Sequence, residues 1–346
     1  MPGATSATLQ LVARFDHQVT GCAVSETGRI FVNFPRWTED NEISVAELVE
    51  GTLHSYPDQE WNRWRNAKKN EISPEDHFVC VQSVVCDGRG SLWVLDPAAP
   101  ATSHLVKDGP KLVRVDLASD KVAQIIPFGT DIAPEGSYLN DIRFHPEGRW
   151  AYLTDSGATG ALIVLDLQAA KARRVLDGHP STQPEKDVVV KHRGRELRRS
   201  DGRGAEFAAD GIEISPDGAF VYWQALTGHT IYRIATAALN DESLSDDALG
   251  RQVERVGKVG VSDGYWMDGE GRLYLSAAEE DAVKRRLRDG TIETVVQDER
   301  LRWPDSFAQG PDGTLYVTSS HIMDNKWFNP EAGPITPTEL WRIEPR

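Results

Sequence analysis

Short apolar strands alternate with tight turns along this chain, and one arrangement of them returns six times. In each copy an apolar strand leads into a turn that ends in glycine, and a second apolar strand follows. The turn glycines lie 42 to 70 residues apart and are Gly28, Gly90, Gly148, Gly218, Gly271 and Gly313. Repeats of this period with hairpin chemistry indicate a propeller or a solenoid.

Further strands complete most copies to four. Third strands are predicted at 112–117, 162–167, 230–236, 282–288 and 339–343, and a fourth, such as KVAQIIPF, follows most of them. The sixth copy reaches the end of the chain at its third strand, whereas residues 8–15 form a strand without a blade of its own. We therefore predict an all-β, six-bladed β-propeller of four-stranded antiparallel blades, closed by the N-terminal strand. An open β-solenoid or two stacked sandwiches are the alternatives.

We expect residues 1–346 to form one domain, because each repeat packs mainly on its neighbours. The predicted blades cover about 19–60, 80–128, 139–177, 209–257, 262–297, and 304–343 together with 8–15. Long irregular segments, at 57–79, 96–111, 177–208 and 320–337, all fall at the end of the ring where the first strands begin. Because function on a rigid β scaffold tends to reside in such loops, we expect the functional site at this end.

Two of these loops have a notable composition. Trp61 and Trp64 could share one face of a short helix, either packing the flap onto the ring or lining a pocket. The loop at 177–208 carries seven Lys and Arg residues between 186 and 203. It is either a solvated basic loop or a lid that attracts anions.

The net charge of −15 argues against general nucleic-acid or anionic-membrane binding, which needs a positive field. The three cysteines, Cys22, Cys80 and Cys86, lack metal-like spacing and suggest small buried thiols. The N-terminus lacks the pattern of a signal peptide and no stretch of about 18 apolar residues is present, so a cytoplasmic location is expected. The oligomeric state is not predicted.

A polar residue stands eight positions before each turn glycine, and we call these six the ring residues: Thr20, Gln82, Asn140, Asp210, Asp263 and Asp305. If the blades close into a ring, their side chains converge near its axis. Asn140, Asp210, Asp263 and Asp305 are hard oxygen donors, which predicts a divalent metal, first Ca²⁺, with Mg²⁺, Mn²⁺ or Zn²⁺ as alternatives. Alternatively, each Asp caps its own strand turn.

A carboxylate that is not fully committed to the metal could act as general base, and Asp263 is our candidate. His321, at a strand end near the loops, is a second candidate for acid–base catalysis. The substrate pocket is predicted from residues around the same mouth, namely Thr20, Arg36, Trp37, Gln82, Arg143, Asp155, Gln224 and Trp303. Arg143 and Glu213 are charges inside apolar strands, so they could instead pair with each other across neighbouring blades.

No nucleophile elbow, phosphate loop or dinucleotide fingerprint is evident, so no nucleotide or organic cofactor is predicted. The partner we expect is a small molecule.

The chain resembles the major royal jelly protein and yellow family, in a compact bacterial form. The resemblance rests on FVNFPRW, SYPDQEW, SVVCDGRGSLWVLDPA, LNDIRFHPEGRWAYLTDSG, ADGIEISPDGAFVYWQALTG and LRWPDSFAQGPDGTLYVTSS, which together span most of residues 19–320. It implies a six-bladed propeller. Because that family includes pigment-pathway and ligand-carrying members, it does not imply one reaction.

A weaker resemblance links the chain to the senescence marker protein and gluconolactonase group, which implies lactone hydrolysis with a divalent metal. The ligand positions it implies are Thr20, Asn140, Asp210 and Asp263. Asn140 and Asp263 match that group by type, whereas Asp210 replaces an asparagine and Thr20 replaces a glutamate. Asp305 would supply the missing charge.

Two functions of different classes therefore remain open. The first is a metal-dependent hydrolase of a lactone or similar small cyclic ester. The second is a non-catalytic small-ligand-binding protein, and a related enzymatic variant is an isomerase of an oxidised aromatic compound.

Overall fold

The computed structural model describes residues 7–100, 104–333 and 336–345. The chain is an all-β, six-bladed β-propeller with four-stranded antiparallel blades, as the repeats predict. Residues 1–6, 101–103, 334–335 and 346 lie outside the described part, and with them the start of the N-terminal segment and pieces of two predicted loops. Among the described residues, no helix combines the length and the apolar character that crossing a membrane requires.

The six blades divide between two compact units. The terminal unit, residues 7–136 and 305–346, holds three blades, with strand orders β2-β3-β4-β5, β6-β7-β8-β9 and β1-β26-β25-β24. Its strands are β1 Ala7–Phe15, β2 Cys22–Val24, β3 Ile30–Asn33, β4 Val45–Val49, β5 Thr52–Ser55, β6 Ser83–Cys86, β7 Ser91–Asp96, β8 Lys111–Asp116, β9 Lys121–Pro127, β24 Pro304–Gln309, β25 Leu315–Ser319 and β26 Thr338–Pro345.

The central unit, residues 137–304, holds the other three blades, each of four consecutive strands, and a small hairpin. Its blade strands are β10 Leu139–Phe144, β11 Trp150–Asp155, β12 Ala161–Asp166, β13 Lys171–Val175, β16 Ala209–Ile214, β17 Phe220–Ala225, β18 Thr230–Ala235, β19 Glu254–Lys258, β20 Tyr265–Met267, β21 Leu273–Ala277, β22 Ala282–Arg286 and β23 Ile292–Gln297. The hairpin is β14 Lys191–His192 and β15 Arg195–Glu196, and two short helices are α1 Thr236–Leu239 and α2 Asp246–Gly250.

The N-terminal strand completes the last blade, as predicted. β1 pairs antiparallel with β26, from Ala7 opposite Pro345 to Phe15 opposite Thr338. The predicted third strands agree with β8, β12, β18, β22 and β26 to within about two residues at each end.

Buried side chains between the sheets form separate cores within the two units. In the central unit Tyr152, Leu162, Ile212 and Trp223 belong to one cluster. In the terminal unit the aromatic and branched side chains of several strands form two others, one around Phe31 and Phe78. Cys22 and Cys80 are buried as expected, Cys86 is only partly buried, and none of the three cysteines forms a disulfide.

The turn glycines are needed for their backbone conformation and for space. Gly218 has a φ of 73°, and a Cβ there would come within 2.7 Å of the His145 Nε2 atom. Because an L side chain at this position would be both strained and in collision, the turn between β16 and β17 requires glycine.

Candidate functional site

The first strands of two central-unit blades are irregular at their ring residues. The pairing of β10 with β11 shifts register between Leu139 and Ile142, and that of β16 with β17 shifts between Ala209 and Ile212. Asn140 and Asp210 lie inside these irregularities. Because a β-bulge redirects side chains, and because bulges are frequent beside active sites, the two ring residues are placed on locally specialised backbone.

Second-strand hydroxyl groups fix the backbone around the ring residues. The Thr154 hydroxyl accepts a hydrogen bond from the Asp141 N–H at 3.4 Å and donates to the Asp210 carbonyl oxygen, on the next blade, at 2.6 Å. The Ser276 hydroxyl accepts from the N–H groups of Asp263 and Gly264 at 3.1 and 2.8 Å. These bonds hold the ring residues in place independently of any ligand.

Neighbouring blades approach closely at the same level. A Cβ on Gly211 would lie 2.3 Å from the Asp263 carbonyl oxygen. Only glycine therefore permits the backbone that follows Asp210 to reach the backbone of the next ring residue.

The carboxyl groups of Asp210 and Asp263 form a buried pair. A hydrogen bond joins the two carboxyl groups, and the Trp303 Nε1–H group donates to Asp263 Oδ2 at 2.7 Å. Burial raises the pKa of Asp263 to about 6, the charge of Asp141 acts in the same direction, and the hydrogen bonds from Trp303 and Asp210 oppose the rise. A carboxyl with this pKa changes its protonation state near neutral pH, as a general base should.

Two further features surround Asp263. Trp303 is fully buried and has a φ of 52°, a left-handed conformation that is strained for an aromatic residue. Ser262 is also buried, and its hydroxyl has no hydrogen-bond partner within the described part of the chain. Strain and an unsatisfied polar group beside one carboxylate are typical of a functional site.

The same three blades of the central unit share a buried ion cluster centred on Arg143. Arg143 contacts Asp141 at 2.7 Å and Glu213 at 3.2 Å, and it donates to the Tyr265 carbonyl oxygen at 2.9 Å. The predicted pairing of Arg143 with Glu213 across neighbouring blades is therefore confirmed. One guanidinium therefore links three successive blades of the central unit. Arg143, which the sequence predicts as a pocket residue, thus has a supporting structural role.

Gln224 and Asp155, two more pocket candidates of this unit, hold loops. Gln224 donates to the carbonyl oxygens of Gly228 and Gly260 and accepts from the Tyr265 hydroxyl at 2.5 Å. Asp155 is fully buried and accepts from two backbone N–H groups, from the Ser137 hydroxyl and from Arg174.

The remaining ring residues belong to the terminal unit. The Thr20 hydroxyl donates to the Gln82 carbonyl oxygen at 3.0 Å and accepts from the Asn33 amide at 2.9 Å. The Asp305 carboxylate accepts from the Ser306 hydroxyl at 3.1 Å. Convergence of all six ring residues stays a prediction.

Arg36 and Trp37 anchor loops of the terminal unit. Arg36 is fully buried, its guanidinium donates to four backbone carbonyl groups, and burial lowers its pKa to about 10. Trp37 packs against Trp327 with ring centroids 4.9 Å apart.

The flap tryptophans pack inward, which favours the first of their two interpretations. Trp61 lies against Phe78, with ring centroids 5.0 Å apart, and Trp64 is fully buried beneath Arg36. The short helix of the flap is a 3-10 turn at Asn66–Lys68, beyond the tryptophans rather than across them.

His321 also belongs to the terminal unit. Its Nε2 atom lies 2.9 Å from Glu339 Oε2, and its Nδ1 atom lies 3.6 Å from Asp324 Oδ2. Its assignment as an acid–base group stays a prediction.

The basic loop contains a docked hairpin. The His192 ring and the Arg193 guanidinium each contact the Asp281 carboxylate at 2.8 Å, and the Lys191 N–H group donates to Glu279 Oε1 at 2.7 Å. Asp281 Oδ1 also accepts from the Trp303 N–H at 3.4 Å. The His192 and Arg193 side chains are thus bound to Asp281 of the blade of β20–β23, and Asp281 connects the hairpin to the tryptophan that contacts Asp263.

Among the described residues, no group of three or more His, Cys, Asp or Glu side chains is gathered as a metal centre. Asn140, Asp210 and Asp263 belong to the same unit and each offers a side-chain oxygen, and the two carboxyl groups in contact need either a shared proton or a cation. The donor chemistry therefore fits a hard divalent ion, although the set contains only two carboxylates.

Sequence reasoning selected Asp210, Asp263 and Trp303 but missed Thr154, Ser276 and Tyr265. Thr154 and Ser276 stand near the ends of second strands, beside the ring residues of their own blades. Thr154 follows its turn glycine by six positions and Ser276 follows its own by five, so a fixed distance from the turn glycine does not bring the two hydroxyl groups into register.

A comparison with protein families identifies the chain. The sequence model of the family described as major royal jelly protein matches residues 79–329. The chain belongs to the major royal jelly protein family. Curated protein sequences gave no significant match.

Solved structures similar to this royal jelly family member share its fold. A gluconolactonase from Xanthomonas campestris is 14% identical with a TM-score of 0.57, covering 98% of this chain and 90% of the other. A calcium-binding protein, regucalcin, from Agrobacterium tumefaciens is 16% identical with a TM-score of 0.56, covering 97% and 96%. The virginiamycin B lyase from Staphylococcus aureus is 13% identical with a TM-score of 0.52, covering 98% and 99%. At these identities the likeness concerns the fold alone.

Proposed function

We propose that this protein hydrolyses a lactone or a similar small cyclic ester, with Asp263 as general base. The observation that carries the proposal is the buried Asp210–Asp263 pair, in which the pKa of Asp263 is raised to about 6. Above that pH the Asp263 carboxylate is ionised yet only weakly solvated, so it is a stronger base than an exposed aspartate.

The ionised state of the Asp263 carboxylate starts the proposed hydrolysis. Asp263 takes a proton from a water molecule as the water oxygen attacks the ester carbonyl carbon. When the bond from the carbonyl carbon to the ring oxygen breaks, Asp263 returns the proton to that oxygen, and the product is the open hydroxy acid. No other reactant is needed and the carboxylate ends in its starting state.

Neighbouring residues set the position of the base. The Trp303 N–H group donates to Asp263 Oδ2 and so fixes the orientation of the carboxylate. Ser276 holds the Asp263 backbone from the second strand. Because the tryptophan hydrogen bond stabilises the ionised form, Trp303 limits how far burial raises the pKa.

A divalent ion fits the same residues. Asn140, Asp210 and Asp263 would hold it, with Ca²⁺ as the first choice for an all-oxygen set. When bound, such an ion polarises an ester carbonyl and stabilises the charge that develops on its oxygen.

A panel of small lactones tests the proposal. Purified protein is assayed with Ca²⁺, Mg²⁺, Mn²⁺ or Zn²⁺ added singly, and again after exhaustive chelation. We expect at least one lactone to be opened, and we expect Asp263→Asn to lower its kcat by about 100-fold or more, because general-base catalysis supplies about that much. Loss of turnover on chelation would support the metal, and turnover that survives it would support Asp263 acting alone.

Asp247→Asn is the matched control, because Asp247 is an exposed aspartate of α2. It should leave kcat unchanged. If Asp263→Asn retained wild-type turnover of every responsive lactone, or if no lactone were opened with any of the four metals, the proposal would be wrong. Ligand-induced thermal stabilisation that persists in Asp263→Asn, without turnover, would instead favour a binding protein.

A further inference from the structure

A concave surface lies in the central unit, at the opposite ends of the strands that carry Asp210 and Asp263. It is a groove of about 620 Å³ between the blade of β16–β19 and the blade of β20–β23. Its rim includes the tight turns after β16 and β20. The volume lies within the usual range for small-ligand sites, so the groove can hold a compact molecule.

The charge lining the groove is positive, although the chain as a whole carries −15. Its charged lining residues are Arg233, Arg255, Arg286, Arg288, Asp217 and Glu254. Four guanidinium groups thus face two carboxylates in a protein that otherwise has an excess of acid. A local excess of positive charge of this kind attracts anions.

Both carboxylates of the lining have partners within the protein, an ion pair for one and hydrogen bonds for the other. Glu254 is paired with Arg233 at 2.7 Å, and that same guanidinium lies over the Phe220 ring at 4.3 Å. Asp217 accepts from the Ser215 hydroxyl at 2.6 Å and from the Ala219 N–H at 3.0 Å. The Asp217 carboxylate keeps its negative charge, which interacts with the charge of Arg288, so the four arginines and two carboxylates leave the lining with an excess of two positive charges.

Arg255, Arg286 and Arg288 make no ion pair with any described residue. Arg286 is half-buried and donates only to backbone carbonyl oxygens, those of Val256 and Leu287, both at 3.4 Å. Arg288 donates to the Glu270 carbonyl oxygen, whereas the Glu270 carboxylate pairs with Arg272 at 3.0 Å. Guanidinium groups with unused donors in a fixed fork match the oxygens of phosphate and carboxylate groups.

The uncharged part of the lining combines apolar side chains with Ser215 and two glycines. Phe220, Tyr222, Ile231 and Met267 contribute to the wall beside the arginines. Small-molecule sites combine apolar side chains with convergent polar groups, and both kinds of residue line this groove. We infer that this groove binds a small organic anion, with a phosphate or carboxylate group on the arginines and an apolar body against the wall.

Calorimetric titration of the full chain tests the inference with four probes: phenyl phosphate, phenylacetate, inorganic phosphate and benzyl alcohol. We expect at least one of the two aromatic anions to bind saturably and more tightly than inorganic phosphate, while uncharged benzyl alcohol shows no saturable binding. The stronger of the two anions identifies the preferred head group. Affinity should fall as salt is raised, because the contact is between charges.

Variants locate the binding. Arg286→Gln and Arg288→Gln should each weaken the aromatic anion about tenfold, the usual effect of losing a charge-assisted hydrogen bond. Arg195→Gln, on the exposed strand β15, is the matched control and should change the affinity less than about twofold.

A variant that fills the groove tests whether the arginine substitutions act at the binding site itself. Gly269 lines the groove, is exposed, does not have a positive φ, and has open space where a Cβ would point, so Gly269→Trp should fill the groove and abolish binding. Gly204 offers the same open space outside the groove, so Gly204→Trp should retain binding. The inference is overturned if neither aromatic anion binds saturably, or if binding survives Arg286→Gln, Arg288→Gln and Gly269→Trp unchanged. Lactone turnover is not a readout here, so this result is independent of the function proposed above.

Discussion

At the residue scale, the chemistry of the candidate site depends on how Asp263 is solvated. Its carboxyl is buried, contacts a second carboxyl, and receives one strong donor from Trp303. Residue types at the ring positions could be read from the sequence because they recur in register with the turn glycines. The contact with Trp303 could not, because the two residues are 40 positions apart and the tryptophan adopts a left-handed backbone that its type disfavours.

The raised pKa of Asp263 predicts an unusual dependence of stability on pH. In the unfolded chain the group titrates near its ordinary value of 3.8, whereas in the native protein it titrates at about 6. The native state therefore holds the proton more tightly, and its contribution to the free energy of unfolding falls as pH rises from about 4 to 6. A shift of about two pKa units corresponds to roughly 3 kcal/mol.

Asp263→Asn removes the free-energy cost of ionising this buried carboxyl. With chelator present, urea unfolding at pH 7 should give the variant a higher free energy of unfolding than the wild type, by up to about 3 kcal/mol. The difference should vanish near pH 4, where the wild-type carboxyl is protonated in the native state. Asp247→Asn should show no such trend. A constant difference between Asp263→Asn and the wild type across pH 4 to 7 would contradict the assigned pKa.

At the element scale, the hairpin of β14 and β15 is held by ionic contacts to Asp281 and by hydrogen bonds to Glu279, and the flanking Val190 and Leu197 are buried. Asp281 is its principal anchor, because one carboxylate receives both His192 and Arg193. Burial opposes ionisation of Asp281, but the hydrogen bonds from His192 and Arg193 outweigh it and lower the pKa. The anchoring is therefore fully present above the ordinary carboxyl pKa near 4 and is lost as pH falls through the lowered value.

Asp281→Asn should release the hairpin. Charge-assisted hydrogen bonds contribute about 1.5–3 kcal/mol each, so losing them should raise the population of undocked hairpin by about tenfold or more. Limited trypsin digestion at pH 8 measures this, because the segment offers cleavage sites from Lys191 to Arg199. We expect faster cleavage there while the thermal unfolding of the rest of the protein changes little.

Asp289→Asn, in an exposed turn of the same blade, is the control for the hairpin experiment. Cleavage between residues 191 and 199 should proceed at the wild-type rate in that variant. An Asp281→Asn protein with equally slow cleavage would mean that the hairpin is held by its other contacts.

At the scale of the whole molecule, the sequence predicts the fold better than it predicts the site. Six glycine turns in register are enough to count the blades, and the unpaired strand near the N-terminus is enough to complete the last one. The outer strands of the first blade, β4 and β5, were not singled out. β5 has no fully buried residue, so the pattern of apolar positions that marks the other strands is weak there.

Completion of the last blade by β1 predicts a large effect of truncation. The β1 side chains of Leu9, Ala13 and Phe15 are buried, and the strand pairs with β26 along nearly its whole length. Removing residues 1–15 exposes the apolar surface that these side chains cover and leaves β26 as an open edge. The free energy of unfolding should fall by on the order of 5 kcal/mol, from the burial of three side chains and the lost backbone pairing.

Urea unfolding measures the loss of stability, and light scattering should detect self-association through the open edge of β26, as unpaired strand edges recruit other strands. The full-length double variant Thr8→Ala/Arg14→Ala is the control, because both side chains are exposed on β1 and the strand itself remains. A synthetic peptide of residues 7–15 should restore part of the lost stability by adding the strand back in trans. If the truncated protein unfolds at the wild-type urea concentration and does not associate, β1 contributes nothing to the closure of its blade. The prediction that the N-terminal strand is needed to complete the sixth blade would then be wrong.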